Sequence, residues 1–266
     1  MKIPFYQVDA FALSPFKGNP AAVVILEKAR SEAWMQSVAS EMALSETAFL
    51  VAKGDGYNLR WFTPTTEVEL CGHATLASAH VLYEFGFYEP DEQISFYTKS
   101  GTITSSFSKG TIELDMPRRD PKSLPANQKI NELLGVNVVA LADFNGSLLL
   151  AELENAAAVS HFVPDFRKIN EIEQHDVLIT AQGDEGFDFV SRFFSPKTGI
   201  FEDPVTGMAH CSLAPYWAFR LGKTSFHALQ ASKRSGELWV RLGEDRVYLA
   251  GKAVTVLQGD ILHQKD

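Results

Sequence analysis

The stretch RWFTP at residues 60–64 has a counterpart later in the chain, RFFSP at residues 192–196, at an offset of 132 residues. Two shorter matches follow in the same order, at offsets of 136 and 135: FG at 85–86 with LG at 221–222, and SG at 100–101 with SG at 235–236. Each copy runs from an aromatic strand through a turn into a helix that stops at glycine, and then into a hairpin. We interpret this order as an internal duplication of one structural unit.

The hydrophobic periodicity around these matches predicts mixed α/β units. Residues 32–42 carry apolar side chains every four positions, which indicates an amphipathic helix. Residues 112–116 alternate apolar and acidic side chains, as a half-buried strand does. Residues 73–85 are apolar or small on nearly every face, which predicts a buried helix, and residues 208–221 have the same character. The expected fold class is therefore α/β (α+β), with strands wrapped around a central helix in each of two similar halves.

A proline-rich segment marks the boundary between the halves. Pro117, Pro121 and Pro125 all fall within residues 116–129. Prolines at that density favour an extended connection over packed structure. We therefore predict a first half at residues 1–117 and the start of the second half at residue 118.

The composition narrows the classes of function. The net charge is −9 and the sequence pI is about 5.3, whereas phosphate binding needs a basic face. No window approaches the roughly 18 consecutive apolar residues of a membrane span, and residues 1–10 read as a strand rather than a signal peptide. Cys71 and Cys211 are too few for a disulfide framework. We expect a cytoplasmic protein with a small-molecule substrate and neither nucleic-acid nor membrane partners.

The sequence has none of the short motifs that bind common cofactors. There is no GxGxxG fingerprint, no Walker loop, and no HExxH or CxxC pair. The seven histidines are dispersed without the spacing of metal ligands. We predict that the protein uses no cofactor and no metal.

The segment CGHAT at residues 71–75 leads from an extended stretch into the buried helix. Gly72 permits a tight entry turn, and the first backbone N–H groups of the helix have no partner within it. With the helix dipole they form a site for a carboxylate. His73 is a candidate substrate-binding residue there. The alternative is a helix start capped by a buried polar side chain.

The segment EDPVTG at residues 202–207 occupies the corresponding junction in the second copy. Asp203 and the helix start at Gly207 are candidates for contacting a small polar acid. A purely structural role explains this segment equally well, because Asp203 can cap a turn that Pro204 stiffens.

Glu46 is the candidate proton-transfer residue. It follows the first predicted helix and opens the apolar run TAFL. Loss of solvation beside such residues disfavours the charged form of a carboxylate and suits it to acid/base chemistry. The alternative is a capping carboxylate exposed to water.

Six segments in order resemble the PhzF-like family: VDAF at 8–11, GNPAAVV at 18–24, SETAF at 45–49, LRWFTP at 59–64, CGHAT at 71–75 and EDPVTG at 202–207. The resemblance implies a duplicated diaminopimelate epimerase-like fold, in which each half is a barrel-like sheet around a central helix. It implies that the last strand, about residues 258–266, returns to the first half, which leaves 118–257 as the second half. It also implies an active-site cleft between the halves and a homodimer.

The same resemblance implies roles for individual residues. Glu46 would move a proton between carbons of a small carboxylate-bearing substrate, while His73 and Asp203 would contact that substrate. Backbone N–H groups after Gly72 and Gly207 would stabilise its negative charge. The family commonly has serine where this chain has Met208, which removes a hydroxyl and makes that wall of the site less polar.

Two other functions fit parts of the pattern. A two-base epimerase or racemase would use two cysteine thiols. Cys71 is suitably placed for that chemistry, but Cys211 falls within the second helix, where a structural thiol is the usual role. A ligand-binding protein without turnover would keep the site and tolerate Met208, although binding alone does not require Glu46.

Overall fold

A computed structural model of the chain describes residues 2–184 and 186–262, so residues 263–266 of the predicted last strand lie outside the described residues. The helices are α1 (Glu32–Met42), α2 (Gly72–Glu84), α3 (Gln128–Leu134), α4 (Ala156–Ser160), α5 (Phe166–Ile169) and α6 (Gly207–Leu221). The strands are β1 (Ile3–Ala10), β2 (Asn19–Leu26), β3 (Glu46–Lys53), β4 (Gly56–Phe62), β5 (Glu67–Val68), β6 (Ile94–Thr98), β7 (Gly101–Ser108), β8 (Thr111–Pro117), β9 (Lys122–Leu124), β10 (Val138–Phe144), β11 (Leu148–Leu153), β12 (Asp176–Gln182), β13 (Phe189–Ser195), β14 (Ile200–Asp203), β15 (Ser225–Gln230), β16 (Gly236–Leu242), β17 (Arg246–Gly251) and β18 (Ala253–Ile261).

The chain divides into two compact units. Of the described residues, the first unit contains 2–116 together with 248–262, and the second contains those within 117–247. The sequence placed the return to the first unit near residue 258, about ten residues too late. The reason is that β18 pairs with β1 along its whole length, from Ala253 opposite Ala10 to Ile261 opposite Ile3.

The two units repeat one order of strand pairing. In the first unit β1 pairs antiparallel with β2, β2 parallel with β3, β3 antiparallel with β4, and β4 parallel with β6. In the second unit β10, β11, β12, β13 and β15 pair in the same succession of directions. The two aromatic stretches that first indicated a duplication fall in the equivalent strands β4 and β13. The duplication predicted from sequence is therefore confirmed at the level of topology.

Helix α2 is the centre of the first unit. Ten of its 13 residues are buried, and it packs against β1, β2, β3, β7 and β18. Its three alanines and its one serine are small enough to let the strands approach on several sides, as the all-round apolar pattern predicts. The helix stops before Gly86, whose φ of 72° lies in the left-handed region.

Helix α6 is the equivalent in the second unit and contains Pro215. Proline has no N–H, so the carbonyl of Cys211 one turn earlier receives no helical hydrogen bond from that position. The backbone N–H of Arg119 donates to this carbonyl instead, at 3.2 Å. The helix can therefore keep a proline in its interior without leaving a buried carbonyl unpaired.

No helix in the described part of the chain is long and apolar enough to cross a membrane.

Candidate active site

Glu46 is the first residue of β3 and lies opposite Ala21 of β2 in a parallel register. Helix α1 ends at Ala43, which takes a left-handed conformation and donates its N–H to Ala39. The chain then reverses direction within two residues and enters β3. The turn and the strand register together fix where the carboxylate of Glu46 points, and only 12% of that side chain is exposed.

His73 lies in the first turn of α2 and is only 4% exposed. Its Nε2 is 3.0 Å from Oε2 of Glu46. The pair is close enough for an ion pair, but the two groups are not aligned as in a hydrogen bond. Among the described residues, neither atom has a hydrogen-bond partner. Buried polar atoms usually make hydrogen bonds in proteins, so this pair is the candidate functional feature of the first unit.

The opposite edge of the His73 ring faces two further polar groups. Nδ1 lies 3.1 Å from Nδ2 of Asn19, the first residue of β2, and 3.6 Å from Sγ of Cys71. The hydroxyl of Ser45 donates to Oδ1 of Asn19 at 3.1 Å. Asn19 is fully buried. Sequence reasoning did not single out Asn19 or Ser45, although both lie within segments that carry the family resemblance.

The charges around His73 act on its pKa in opposite directions. Burial alone lowers the pKa, but the neighbouring Cys71 and Glu46 outweigh burial and hold the pKa of His73 well above its usual value. Burial, together with the charge of Glu46, raises the pKa of the Cys71 thiol. Cys71 and Glu46 together therefore favour a protonated His73.

The start of α2 has no side-chain cap. Its N-cap, Cys71, makes no capping hydrogen bond to the backbone of the first turn. The earliest N–H groups of an α-helix have no partner within the helix. At this helix start they lie in the same turn as His73, and they carry the positive end of the helix dipole.

Glu46, Cys71 and His73 each offer a possible metal-ligand atom, and these atoms lie within 4.8 Å of one another. Cys71 faces Nδ1 of the ring, however, whereas Glu46 faces Nε2. The two nitrogens point away from each other, so one ion could not bind all three groups unless the imidazole turned. The arrangement fits a chain of proton donors and acceptors better than a metal centre.

The junction before α6 is held by a side chain that the sequence analysis missed. Gln230, fully buried at the end of β15, accepts from the N–H of Thr206 at 2.8 Å and donates to the carbonyl of Asp203 at 2.8 Å. The hydroxyl of Thr206 donates to Oδ2 of Asp203 at 2.5 Å. Asp203 is buried and thus held in a closed network. A single glutamine at the end of a strand gave no signal of this role.

Gly207 and Met208 take up the positions in α6 that Gly72 and His73 take up in α2. Both glycines are the first residue of their helix. Because it is the second residue of its helix, Met208 is the counterpart of His73 in the duplicated unit. Its side chain is half-buried. Cys211 is fully buried within α6, and burial raises the pKa of its thiol to about 12. The helical position expected for Cys211 is confirmed.

Two units of the same strand order, each with a buried helix, define the diaminopimelate epimerase-like fold. A structure of a predicted epimerase from Pseudomonas aeruginosa shares this fold with a TM-score of 0.78 at 20% identity, covering 98% of this chain and all of that one. A phenazine biosynthesis protein of the PhzF family from Enterococcus faecalis is much more similar. Its crystal structure matches with a TM-score of 0.93 and 42% identity over 99% of this chain and 100% of its own.

The family model for phenazine biosynthesis-like proteins matches residues 8–259. A relative from Halalkalibacterium halodurans, named an uncharacterized isomerase, is 49% identical over 265 residues, which are 98% of this chain and 99% of that protein. The chain therefore belongs to the phenazine biosynthesis-like, or PhzF, family, as the six sequence segments indicated.

Proposed function

We propose that this protein is an isomerase that moves a proton between two carbons of a small carboxylate-bearing metabolite, with Glu46 as the acid and base. The observation that carries the proposal is the buried pair formed by Oε2 of Glu46 and Nε2 of His73, which lie 3.0 Å apart and make no hydrogen bond to any other described residue. A relative from Halalkalibacterium halodurans is named an uncharacterized isomerase, which agrees with this reaction class.

Glu46 fits the role of a proton shuttle because its carboxylate is mostly shielded from water and lies against a group that can hold a proton. A general base must lie within hydrogen-bond reach of the proton that it takes. His73 can then stabilise the ionised carboxylate between the two proton transfers, since its raised pKa favours the charged ring.

Besides a base, the reaction needs a site for the carboxylate of the substrate, and the uncapped start of α2 is the candidate for it. Backbone N–H groups after Gly72 would bind that carboxylate or the enolate-like charge that develops when a carbon-bound proton leaves. In the second unit, Asp203, Gly207 and Met208 remain predictions for substrate binding. Asp203 would orient an amine or hydroxyl, and Met208 would exclude polar groups from its wall.

The protonation of the cysteines disfavours the two-base thiol reaction. A thiolate, not a thiol, is the base in such enzymes. Burial raises the pKa of both thiols, that of Cys211 to about 12. The carboxylate of Glu46 is therefore the stronger candidate for the base.

The test is deuterium incorporation followed by NMR. The protein is incubated in D₂O with small unsaturated acids and amino acids, in parallel with Glu46→Gln and with Glu41→Gln. Glu41 is exposed on α1 and provides a matched control. We expect carbon-bound deuterium with the unsubstituted protein and with Glu41→Gln, and a loss of about 100-fold or more with Glu46→Gln.

Three further results would change the conclusion. If Glu46→Gln incorporates deuterium as fast as the unsubstituted protein, Glu46 is not the base. If incorporation is lost in Cys71→Ser but not in Glu46→Gln, the thiol reaction is favoured. Binding of an acid without any exchange would favour a ligand-binding protein. We also propose that side chains alone carry out the reaction, so treatment with a metal chelator should leave the exchange rate unchanged.

A further inference from the structure

A continuous chain of polar contacts runs behind the imidazole of His73. Ser45 donates to Oδ1 of Asn19, Nδ2 of Asn19 lies 3.1 Å from Nδ1 of His73, and Nε2 of His73 faces Glu46. The side chains come from four segments: the loop before β3, the start of β2, the first turn of α2 and the first residue of β3. The chain thus begins at Ser45 and returns to its neighbour in sequence, Glu46.

We propose that Asn19 is the positioning residue that lets His73 both hold and release a proton: its amide nitrogen faces Nδ1 of neutral His73, and its amide oxygen faces Nδ1 of protonated His73. This inference rests on the proposed acid/base function of Glu46 and His73.

The orientation in the structure suits the neutral ring. The amide N–H of Asn19 donates to Nδ1, so Nδ1 must carry a lone pair. The single ring proton of neutral His73 is then on Nε2, the nitrogen that faces Glu46. This tautomer keeps a donor directed at the carboxylate even after the ring has lost its charge.

The protonated ring needs the opposite contact, because Nδ1 then carries a hydrogen and requires an acceptor. A primary amide offers a donor and an acceptor at nearly the same place, and a half-turn of Asn19 exchanges them. Ser45 can follow this exchange, since a hydroxyl both donates and accepts. Aspartate, which only accepts when ionised, or leucine, which does neither, could serve at most one state of the ring.

No other group that acts on His73 can take the place of Asn19 as the partner of Nδ1. Among the described residues, the titratable groups that act on its charge are Glu46 on β3 and Cys71 at the start of α2. Cys71 stays protonated near neutral pH, because burial raises its pKa. Its thiol lies 3.6 Å from Nδ1 and is a weak hydrogen-bonding group. The strong partner of Nδ1 is therefore Asn19.

The first test needs no substitution at Asn19. Protein with ¹⁵N-labelled histidine is titrated by NMR, and the signals of His73 are assigned from their absence in His73→Gln. Above the pKa of His73 we expect protonated Nε2 and unprotonated Nδ1. A neutral ring with its proton on Nδ1 would overturn the proposal, whatever the variants do.

The second test compares Asn19→Asp with Asn58→Asp, which adds the same charge at an exposed position on β4. Asn19→Asp should raise the pKa of His73 by about one to three pH units, because its carboxylate stabilises the charged ring directly. Asn19→Leu should lower it and leave the neutral ring as a mixture of tautomers. The same pKa in Asn19→Asp and Asn58→Asp would reject the role of Asn19.

These readouts separate the inference from the proposed function. Deuterium incorporation that depends on Glu46, together with the wrong tautomer, would leave the reaction standing and reject Asn19 as the positioning residue. The expected tautomer and pKa shifts without any deuterium incorporation would reject the reaction and keep the coupling between Asn19 and His73.

Discussion

His73 and His210 both lie in the first turns of the central helices of their units, yet their environments shift their pKa values in opposite directions. His73 is next to Glu46, and its pKa is raised. His210 is fully buried, and its ring donates from Nδ1 to the carbonyl of Thr206 at 2.9 Å. Burial lowers the pKa of His210 to about 4. The surroundings of two residues of one type thus shift their pKa values in opposite directions.

His210 makes the stability of the protein sensitive to acid. Between about pH 6.5 and pH 4 the unfolded chain binds a proton at this residue and the folded chain does not. The free energy of unfolding therefore falls as the pH falls through this window, by about 2–3 kcal/mol from this residue. We expect His210→Phe, which keeps a ring beside Phe189, to lack this part of the acid sensitivity.

The measurement is urea unfolding at pH 7 and pH 4.5 for both proteins. The carboxylates titrate in both, so the difference between the two pH dependences isolates His210. Parallel pH dependences would mean that the folded protein protonates His210 as readily as the unfolded chain does.

Several helices and strands are flanked by glycines with a left-handed backbone conformation, but these glycines differ in how much room a side chain would have. Gly18 precedes β2 and Gly222 follows α6, and both have φ of 64°. A Cβ at Gly222 would meet nothing within 4 Å, whereas a Cβ at Gly18 would lie 2.1 Å from the carbonyl oxygen of Ala10. The backbone of β1 therefore approaches Gly18 too closely for any side chain.

We predict unequal costs for the two alanine substitutions. Gly222→Ala should cost about 1–2 kcal/mol, the strain of a left-handed backbone alone. Gly18→Ala should cost about 3 kcal/mol or more, because a backbone clash adds to that strain. Chemical denaturation of the two variants under one set of conditions decides the point. Equal losses of stability would show that the β1 backbone moves aside at little cost.

Gly18 also affects the candidate site, because it immediately precedes Asn19. A shift of this turn would move the amide that faces His73. We therefore expect a folded Gly18→Ala protein to show an altered His73 titration, while Gly222→Ala leaves that titration unchanged.

The duplication of the whole molecule has conserved one ion pair in both units but not its surroundings. Arg60 and Glu67 join β4 to β5 through two contacts of 2.7 Å, and Arg192 and Glu202 join β13 to β14 at 2.6 and 3.0 Å. The side chain of Arg60 is 32% exposed, whereas that of Arg192 is 9% exposed.

The equivalent arginines should differ in their contribution to stability. Arg192 also donates to the carbonyls of Phe162 and Val159, so Arg192→Ala leaves several buried groups unpaired and should cost about 3–5 kcal/mol. Arg60→Ala should cost about 1 kcal/mol or less, because Lys99 still pairs with Glu67 and Arg60 is partly in water.

Hydrogen exchange followed by mass spectrometry reads the two units separately. Arg192→Ala should lower protection in β12 and β13, and Arg60→Ala should leave β3 and β4 close to their original protection. Similar losses of protection in the two variants would indicate that burial of the ion pair does not determine how much it contributes to stability.

Much of the fold could be predicted from the sequence because it follows from local periodicity. The apolar spacing over 32–42 and the all-round apolar pattern after Gly72 both correspond to helices in the structure. The second boundary between the units was wrong, because the pairing of β18 with β1 joins the two ends of the chain and leaves no local signal.

Periodicity, glycine stops and short motifs lie along the chain, so the duplicated α/β units, their central helices and the candidates Glu46, His73 and Asp203 could be predicted without a structure. The packed structure was needed to show that Glu46 and His73 are in contact, that Asn19 faces the other edge of the ring, and that Gln230 holds the turn at Asp203. These contacts join residues 27 to 54 positions apart, so no local pattern contains them. Their distances, and the burial that sets the pKa values, exist only after the strands have packed around the helices.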